Sequence, residues 1–362
     1  MQGKCVSLLA YVFALCPLIT ASGQEISWMK LMTPQVGWAA NLSHLYWTTD
    51  QGGHWKDVAP AMSAGEGIGG VFFLDTSTGW VLLSGADKED VQQFRVAFTS
   101  DGGANWSSSP IKIPWKRYAE DFAGGGSVFF LDQLRGWVNL DVYGMLHAGR
   151  LLATQDGGKA WQATPDDSGR GGSFCFFNER DGILAGGPDE TELWATHDAS
   201  KNWQQVELKA PPEAAPTQSA TYGPPICRDD KHGFLPVSYN RTDDLPGAFA
   251  LFSTADGGVT WKPDRVLPHV DQPAPGIGVP SAVVDSTLLA VGHFQGTRTI
   301  GLVAAREGGS SSTNTSAELA SHLFAVSEVT FADASHGWVS TSEGLFSTVD
   351  GGASWTNITP PR

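Results

Sequence analysis

Apolar runs only a few residues long alternate along the chain with turn signals rich in Asp and Gly. One phrase is an apolar strand followed by Asp-x-x-x-Gly-Trp. It reads Phe72-Phe73-Leu74-Asp75 to Gly79-Trp80, Phe129-Phe130-Leu131-Asp132 to Gly136-Trp137, and Phe331-Ala332-Asp333 to Gly337-Trp338. Weaker copies run from Asn178 to Gly182-Ile183 and from Asp229 to Gly233-Phe234. Gly37-Trp38 opens the first repeat, and Asp285 alone marks the sixth. Downstream comes a second phrase, Thr-x-Asp-x-Gly-x-x-Trp. Its copies are Thr48-Asp50-Gly52-Trp55, Thr99-Asp101-Gly103-Trp106, Thr154-Asp156-Gly158-Trp161, Thr196-Asp198-Ser200-Trp203, Thr254-Asp256-Gly258-Trp261 and Thr348-Asp350-Gly352-Trp355.

Taken together, the two phrases spell strand A, an Asp/Gly turn, strand B, strand C ending in Thr, an Asp-Gly turn, and strand D from the Trp. Four short strands joined by turn signals make an antiparallel meander, and a spacing of about 40 to 60 residues is that of a propeller blade. The interval between Asp256 and Asp350 is nearly double. Arg306-Glu307-Gly308-Gly309 stands within it as a worn copy, with Glu307 in the aspartate place. The expectation is an all-β chain, one seven-bladed β-propeller of four-stranded antiparallel blades over residues 24–362.

Asp-Gly and Gly-Gly suit tight hairpins because glycine tolerates positive backbone dihedrals. The aspartate can accept hydrogen bonds from turn amides, and the threonine can bond or pack at the strand end. Tryptophan covers a turn and buries a large apolar area between neighbouring blades. Of the 14 tryptophans, ten fall in one phrase or the other: Trp38, Trp55, Trp80, Trp106, Trp137, Trp161, Trp203, Trp261, Trp338 and Trp355. Together with the turn aspartates they are read as architecture rather than as catalytic or metal-binding groups.

Composition agrees: 43 glycines against 17% charged residues suits a turn-rich β protein. The segment 1–23 reads as a secretory signal, with Lys4 at the start, an apolar Val6 to Ile19, and Ala21-Ser22-Gly23 before Gln24. Beyond it no run is long and apolar enough to span a membrane. The expected location is secreted or periplasmic. The net charge of -15, with Lys and Arg scattered, lacks the basic footprint of a nucleic-acid or anionic-membrane partner. A soluble monomer is expected.

Cleavage would leave Cys175 and Cys227, both on A strands of adjacent blades. Counted from their turns they have opposite parity, which with a two-residue strand period points them to opposite faces. The reading is two buried thiols, with a bridge as the alternative that an exported compartment allows.

In such a meander the A–B and C–D turns share one face and the B–C and D–A connections the other. Nearly every insertion falls on the second face, which is where recognition usually lives. Tyr118, Tyr143, Tyr222 and Tyr239 fall in or beside these insertions, near Trp115, Arg117, His147, Arg150 and Arg241. Aromatic and Arg residues on a polar rim suit a binding face. Histidines lie scattered, without the clustered spacing a metal needs, and no Gly-x-Ser-x-Gly elbow occurs. Glu120, Asp121, Asp243, Asp244 and Asp271 could pair as glycosidase carboxylates. No cofactor is called for, and the balance leans away from an enzyme.

The Thr-x-Asp-x-Gly-x-x-Trp phrase is similar to the Asp-box, or bacterial neuraminidase repeat, of sialidases, xyloglucanases and sortilin-type receptors. With Phe-x-Asp-x-x-x-Gly-Trp before it, the grammar most resembles the photosystem II stability/assembly factor family, over roughly Ile26 to Thr359. That resemblance implies a seven-bladed, non-catalytic, exported propeller that binds a protein or assembly partner. Photosynthetic members are associated with a basic, Arg-containing surface, whereas this chain is acidic, so the resemblance carries over partner binding rather than a photosystem role. The alternative is a glycan-binding or sialidase-like propeller. Phe94-Arg95-Val96 is the string nearest to the sialidase Arg-Ile-Pro segment, without the proline.

Overall fold

A computed structural model describes residues 26–88, 91–112, 122–143, 148–165, 169–187, 191–241, 247–268, 270–271, 279–284, 287–294, 300–306, 311–314 and 326–361. The segment 1–23 lies outside the described residues. Blade 1 consists of Trp28–Leu31, Gly37–Ala40, Leu45–Thr48 and Lys56–Asp57. Blade 2 is Gly67–Phe73, Gly79–Lys88, Val91–Thr99 and Ser107–Pro110, and blade 3 is Phe122–Phe130, Gly136–Tyr143, Ala148–Thr154 and Gln162–Ala163. Blade 4 is Gly172–Phe176, Gly182–Gly186, Glu192–Thr196 and Gln204–Gln205. In blade 5 strand A is broken into Thr217–Tyr222 and Ile226–Cys227, followed by Gly233–Arg241, Ala248–Thr254 and Lys262–Pro268. Blade 6, closing the chain, is Val326–Phe331, Gly337–Thr341, Gly344–Thr348 and Thr356–Asn357. Every pairing is antiparallel between strands that follow one another in the meander.

The expectation of a single seven-bladed propeller of four-stranded blades is corrected: the structure shows six blades. A blade, in the sense of a meander built on the Thr-x-Asp turn, occurs six times. Between blades 5 and 6 runs a sheet of different construction: Val270–Asp271, Ser281–Val284, Thr287–Phe294, Ile300–Arg306 and Ser311–Asn314. It helps to complete the ring, but among the described residues it carries neither the turn threonine nor the tryptophan. The worn copy anticipated at 306–309 falls, apart from Arg306, outside the described residues. Nor are all sheets four-stranded, since this one and blade 5 each have a broken A strand and hence five.

The turns explain why the repeat holds its shape. In blade 2 the Thr99 hydroxyl donates to Asp101 Oδ1 at 2.8 Å and accepts from the N–H groups of Asp101 and Gly103 at 3.3 and 2.9 Å. Asp101 in turn accepts from the Asn105 backbone and side chain, each at 2.8 Å. The same threonine-to-aspartate and glycine-to-threonine bonds recur in blades 1, 3, 5 and 6. Hydrogen bonds to the ionised carboxylate hold Asp101 below the usual range and Asp350 down to about 2. The two residues after each aspartate have positive φ, so glycine fits there at no steric cost.

Tryptophans then join the blades. Trp55 Nε1 donates to the Ile358 carbonyl of blade 6 at 2.7 Å, and Trp106 Nε1 to that of Val58 in blade 1 at 2.8 Å. Trp80 of blade 2 stacks on Phe130 of blade 3 at 3.7 Å, and Trp137 on Phe176 of blade 4 at 3.8 Å. Apolar clusters of this kind fill the space between each sheet and the next around the ring. Strand A of blade 1 pairs with its own strand B, from Trp28↔Ala40 to Leu31↔Gly37. The ring therefore closes by packing of Met29 and Leu31 against Trp338 and Leu345 of blade 6, not by strand exchange.

The reading of Cys175 and Cys227 as two thiols is corrected: they form a disulfide, with Cα atoms 5.9 Å apart. Opposite parity is what an inter-blade bridge requires. Neighbouring blades stack face to face, so the face of blade 4 that looks at blade 5 is opposite to the face of blade 5 that looks back. Cys227 lies opposite Gly233 and Phe176 opposite Gly182, which sets Cys175 one residue out of phase and brings the two sulfurs together.

Candidate functional site

The A strands of all six blades and of the divergent sheet surround a central channel of about 600 Å³, within the range of small-molecule sites. Its wall is uneven. On blades 2, 3 and 4 the A strands are stripped to backbone by Gly69, Gly125, Gly126 and Gly172. A Cβ on Gly69 would lie 2.9 Å from the Gly125 Cα, and one on neighbouring Gly70 would lie 2.4 Å from the Gly126 carbonyl oxygen. Glycine is needed there because two backbones meet with no room for a side chain. Blades 1, 5 and 6 and the divergent sheet supply the bulk instead: Trp28, Lys30, Tyr222, Ile226, Val283 and Glu328.

Two opposite charges face this lumen. Glu328 Oε2 accepts from the Met29 N–H at 3.1 Å across the closure of blades 6 and 1. Burial pushes its carboxyl up to about 7 despite Lys30 and the Met29 hydrogen bond. Lys30 lines the lumen and is exposed to it. The surrounding protein displaces part of its hydration and lowers its pKa, with Glu328 opposing the shift and Arg228 adding to it. Arg228 is tied at the end of the blade 5 A strand, where its guanidinium donates to the Val283 carbonyl at 2.8 Å and lies 5.4 Å from the Phe234 ring.

The candidate partner-face residues are dispersed. Trp115, Arg117, Tyr118 and His147 lie outside the described residues. Tyr143 ends strand B of blade 3 opposite Phe122, and Arg241 ends strand B of blade 5 opposite Thr217. Both therefore reach the end of the sheets that bears the B–C connections. Arg150 lies on strand C of blade 3, partly buried, opposite Leu140. Tyr239 is corrected as a surface group: it is buried in the core between blades 4 and 5, and among the described residues its hydroxyl has no hydrogen-bond partner. Burial, with Tyr222 beside it, drives its phenol pKa upward. Tyr222 packs against the same core and lines the channel, so it too faces inward. Position beside an insertion misplaces both, because Tyr239 lies on the face pressed against blade 4. Arg95, nearest to the sialidase string, is engaged structurally. It grips Glu66 through Nε and Nη2 at 2.8 and 2.7 Å and donates to the Ala61 carbonyl, fastening the connection from blade 1 to blade 2.

The channel residues Trp28, Lys30 and Glu328 escaped the sequence reading. Only the consecutive glycines of three A strands hint at them. Among the described residues no group of three or more His, Cys, Asp or Glu could hold a metal ion, and no helix is long and apolar enough to cross a membrane.

The arrangement defines a single-ring, all-β propeller with a lined axial channel. No family model and no curated protein matches the chain. Its fold is similar to that of YCF48 bound to D1 peptide, with 16% identity over 91% of this chain and 94% of that one and a TM-score of 0.56. YCF48 from Cyanidioschyzon merolae is similar at 16% identity over 92% and 97% of the two chains, with a TM-score of 0.53. The GH74 xyloglucanase from Xanthomonas campestris aligns at 15% identity over 94% of this chain but 55% of its own, with a TM-score of 0.60. At these identities the likeness establishes the fold.

Proposed function

We propose that this chain is an exported, non-catalytic propeller that binds a protein partner through the face bearing its B–C and D–A connections. The observation that carries the reading is the extent of the likeness to YCF48. It takes in nearly the whole of both chains, and one of those structures holds a peptide. A glycan-directed role is the second reading, favoured by the xyloglucanase fold, although this chain spans only about half of that enzyme. The residues we assign to that face from the sequence are Trp115, Arg117, Tyr118, Tyr143, Arg150 and Arg241.

The test is affinity capture of exported proteins on residues 24–362, with identification by mass spectrometry. A parallel capture uses the Arg117→Ala/Tyr118→Ala/Tyr143→Ala variant. A defined protein retained by the parent and lost by the folded variant supports the proposal. Binding or cleavage of oligosaccharides, with no protein captured, replaces it by the glycan reading.

A further inference from the structure

The channel holds a charge without a partner. Among the described residues the Lys30 ammonium makes no ion pair and no hydrogen bond, and it stands open to the lumen. The nearest compensation is Glu328, whose Oε2 is taken by the Met29 N–H, and Arg228 adds a second cation within electrostatic reach. An unpaired cation on the wall of a concave, partly apolar channel offers an anchor to a ligand that brings its own negative charge. Trp28 stands two residues from Lys30 on the same strand and therefore on the same face of the sheet. Ile226 and Val283 add apolar wall. The glycine strands of blades 2, 3 and 4 line the rest of the lumen without bulky side chains.

The geometry points to a binding site for a small carboxylate with a flat apolar body, its carboxylate on Lys30 and its body against Trp28. The site is separate from the loop-bearing face and stands whether or not that face binds a protein. Four titratable groups face it from the elements around it: Lys30 from blade 1, Tyr222 and Arg228 from blade 5, and Glu328 from blade 6. Tyr222 has its pKa raised by burial and by Glu207, and so stays neutral. Glu328 is the competitor, because its ionised carboxylate repels an incoming anion. Protonation as pH falls through about 7 removes that repulsion, so affinity rises toward acid pH.

Isothermal titration with benzoate and indole-3-acetate, each against its neutral amide, tests this on residues 24–362. Carboxylates bind and amides bind at least about tenfold more weakly, since an ion pair in a concave site is worth about that factor. Lys30→Met abolishes the preference. Glu328→Gln keeps an acceptor for the Met29 N–H and tightens carboxylate binding several-fold at pH 8, with no change at pH 5.5. The gain in that variant tests the site even if Lys30→Met fails to fold. Three results overturn the proposal: no heat from either carboxylate at 10 mM (roughly the weak limit of such sites), equal binding by Lys30→Met, or an unchanged Glu328→Gln at pH 8.

Discussion

Blade 4 departs from the repeat at Ser200, where the other five blades have glycine, and at Ala199, where four of them have glycine and blade 1 has Gln51. Ser200 takes φ 63° and Ala199 φ 62°, the left-handed region that glycine favours. Ser200 is fully buried, and among the described residues its hydroxyl has no hydrogen-bond partner. Its backbone N–H still donates to Thr196 Oγ1 at 3.1 Å, a bond that glycine would keep. Replacing Ala199 by Gly relieves about 1–2 kcal/mol of left-handed strain, offset by about 0.5–1 kcal/mol for glycine's freer unfolded chain. The net gain is about 0.5–1 kcal/mol. Ser200→Gly relieves the same strain and removes an unsatisfied hydroxyl costing about 1–3 kcal/mol, at a loss of about 0.8 kcal/mol of buried carbon. Its net gain is about 0.7–3 kcal/mol. With an unfolding entropy of about 2.1 cal/mol/K per residue, that raises Tm by about 1–4 °C. Equilibrium urea unfolding of the two single variants measures the difference directly. A Ser200→Gly protein no more stable than Ala199→Gly would refute the reasoning about the hydroxyl, and a destabilised one would refute the strain argument as well.

Thr99→Val removes the hydroxyl that serves Asp101 and Gly103 and leaves the Gly103 N–H buried without its acceptor. A loss of about 1–3 kcal/mol is expected in the same unfolding assay. Glu328 titrates at about 7 in the folded chain against an ordinary value of 4.5. Its folded form holds the proton more tightly, so its contribution is full below about pH 4.5 and is lost as pH rises through about 7. Glu328→Gln should therefore raise Tm at pH 8 and leave it unchanged at pH 4.5. Glu66 runs the other way, with its carboxyl held down at about 2 chiefly by the Arg95 hydrogen bonds. That contribution is complete above about pH 5 and is lost as pH falls through about 2, so Arg95→Met should flatten the acid limb of the stability profile. Changing both Cys175 and Cys227 to Ala opens a bridge spanning 52 residues. It should cost about 2–4 kcal/mol, seen as a lower urea midpoint that reductant no longer shifts.

The repeat was legible because its chemistry is local. A threonine, an aspartate and a glycine within five residues satisfy one another, so the turn reads from the string alone. The count of blades was not, since the doubled interval after Asp256 folds into a sheet with no such turn to announce it. The candidate face was only partly legible. Tyr143 and Arg241 do reach strand ends on the loop-bearing side, but Tyr222 and Tyr239 turn inward against blade 4.

By itself the sequence determined strand length, turn type and the order of strands within a meander, because those depend on residues close in the chain. Only the tertiary structure decided what meets across the ring. Cys175 finds Cys227 because stacked blades present opposite faces to each other. Lys30 and Glu328, nearly three hundred residues apart, share one lumen because the last blade packs on the first. The glycines of blades 2 and 3 touch because their A strands converge on the axis. Such contacts are set by how blades pack around a closed ring, which no stretch of neighbouring residues encodes.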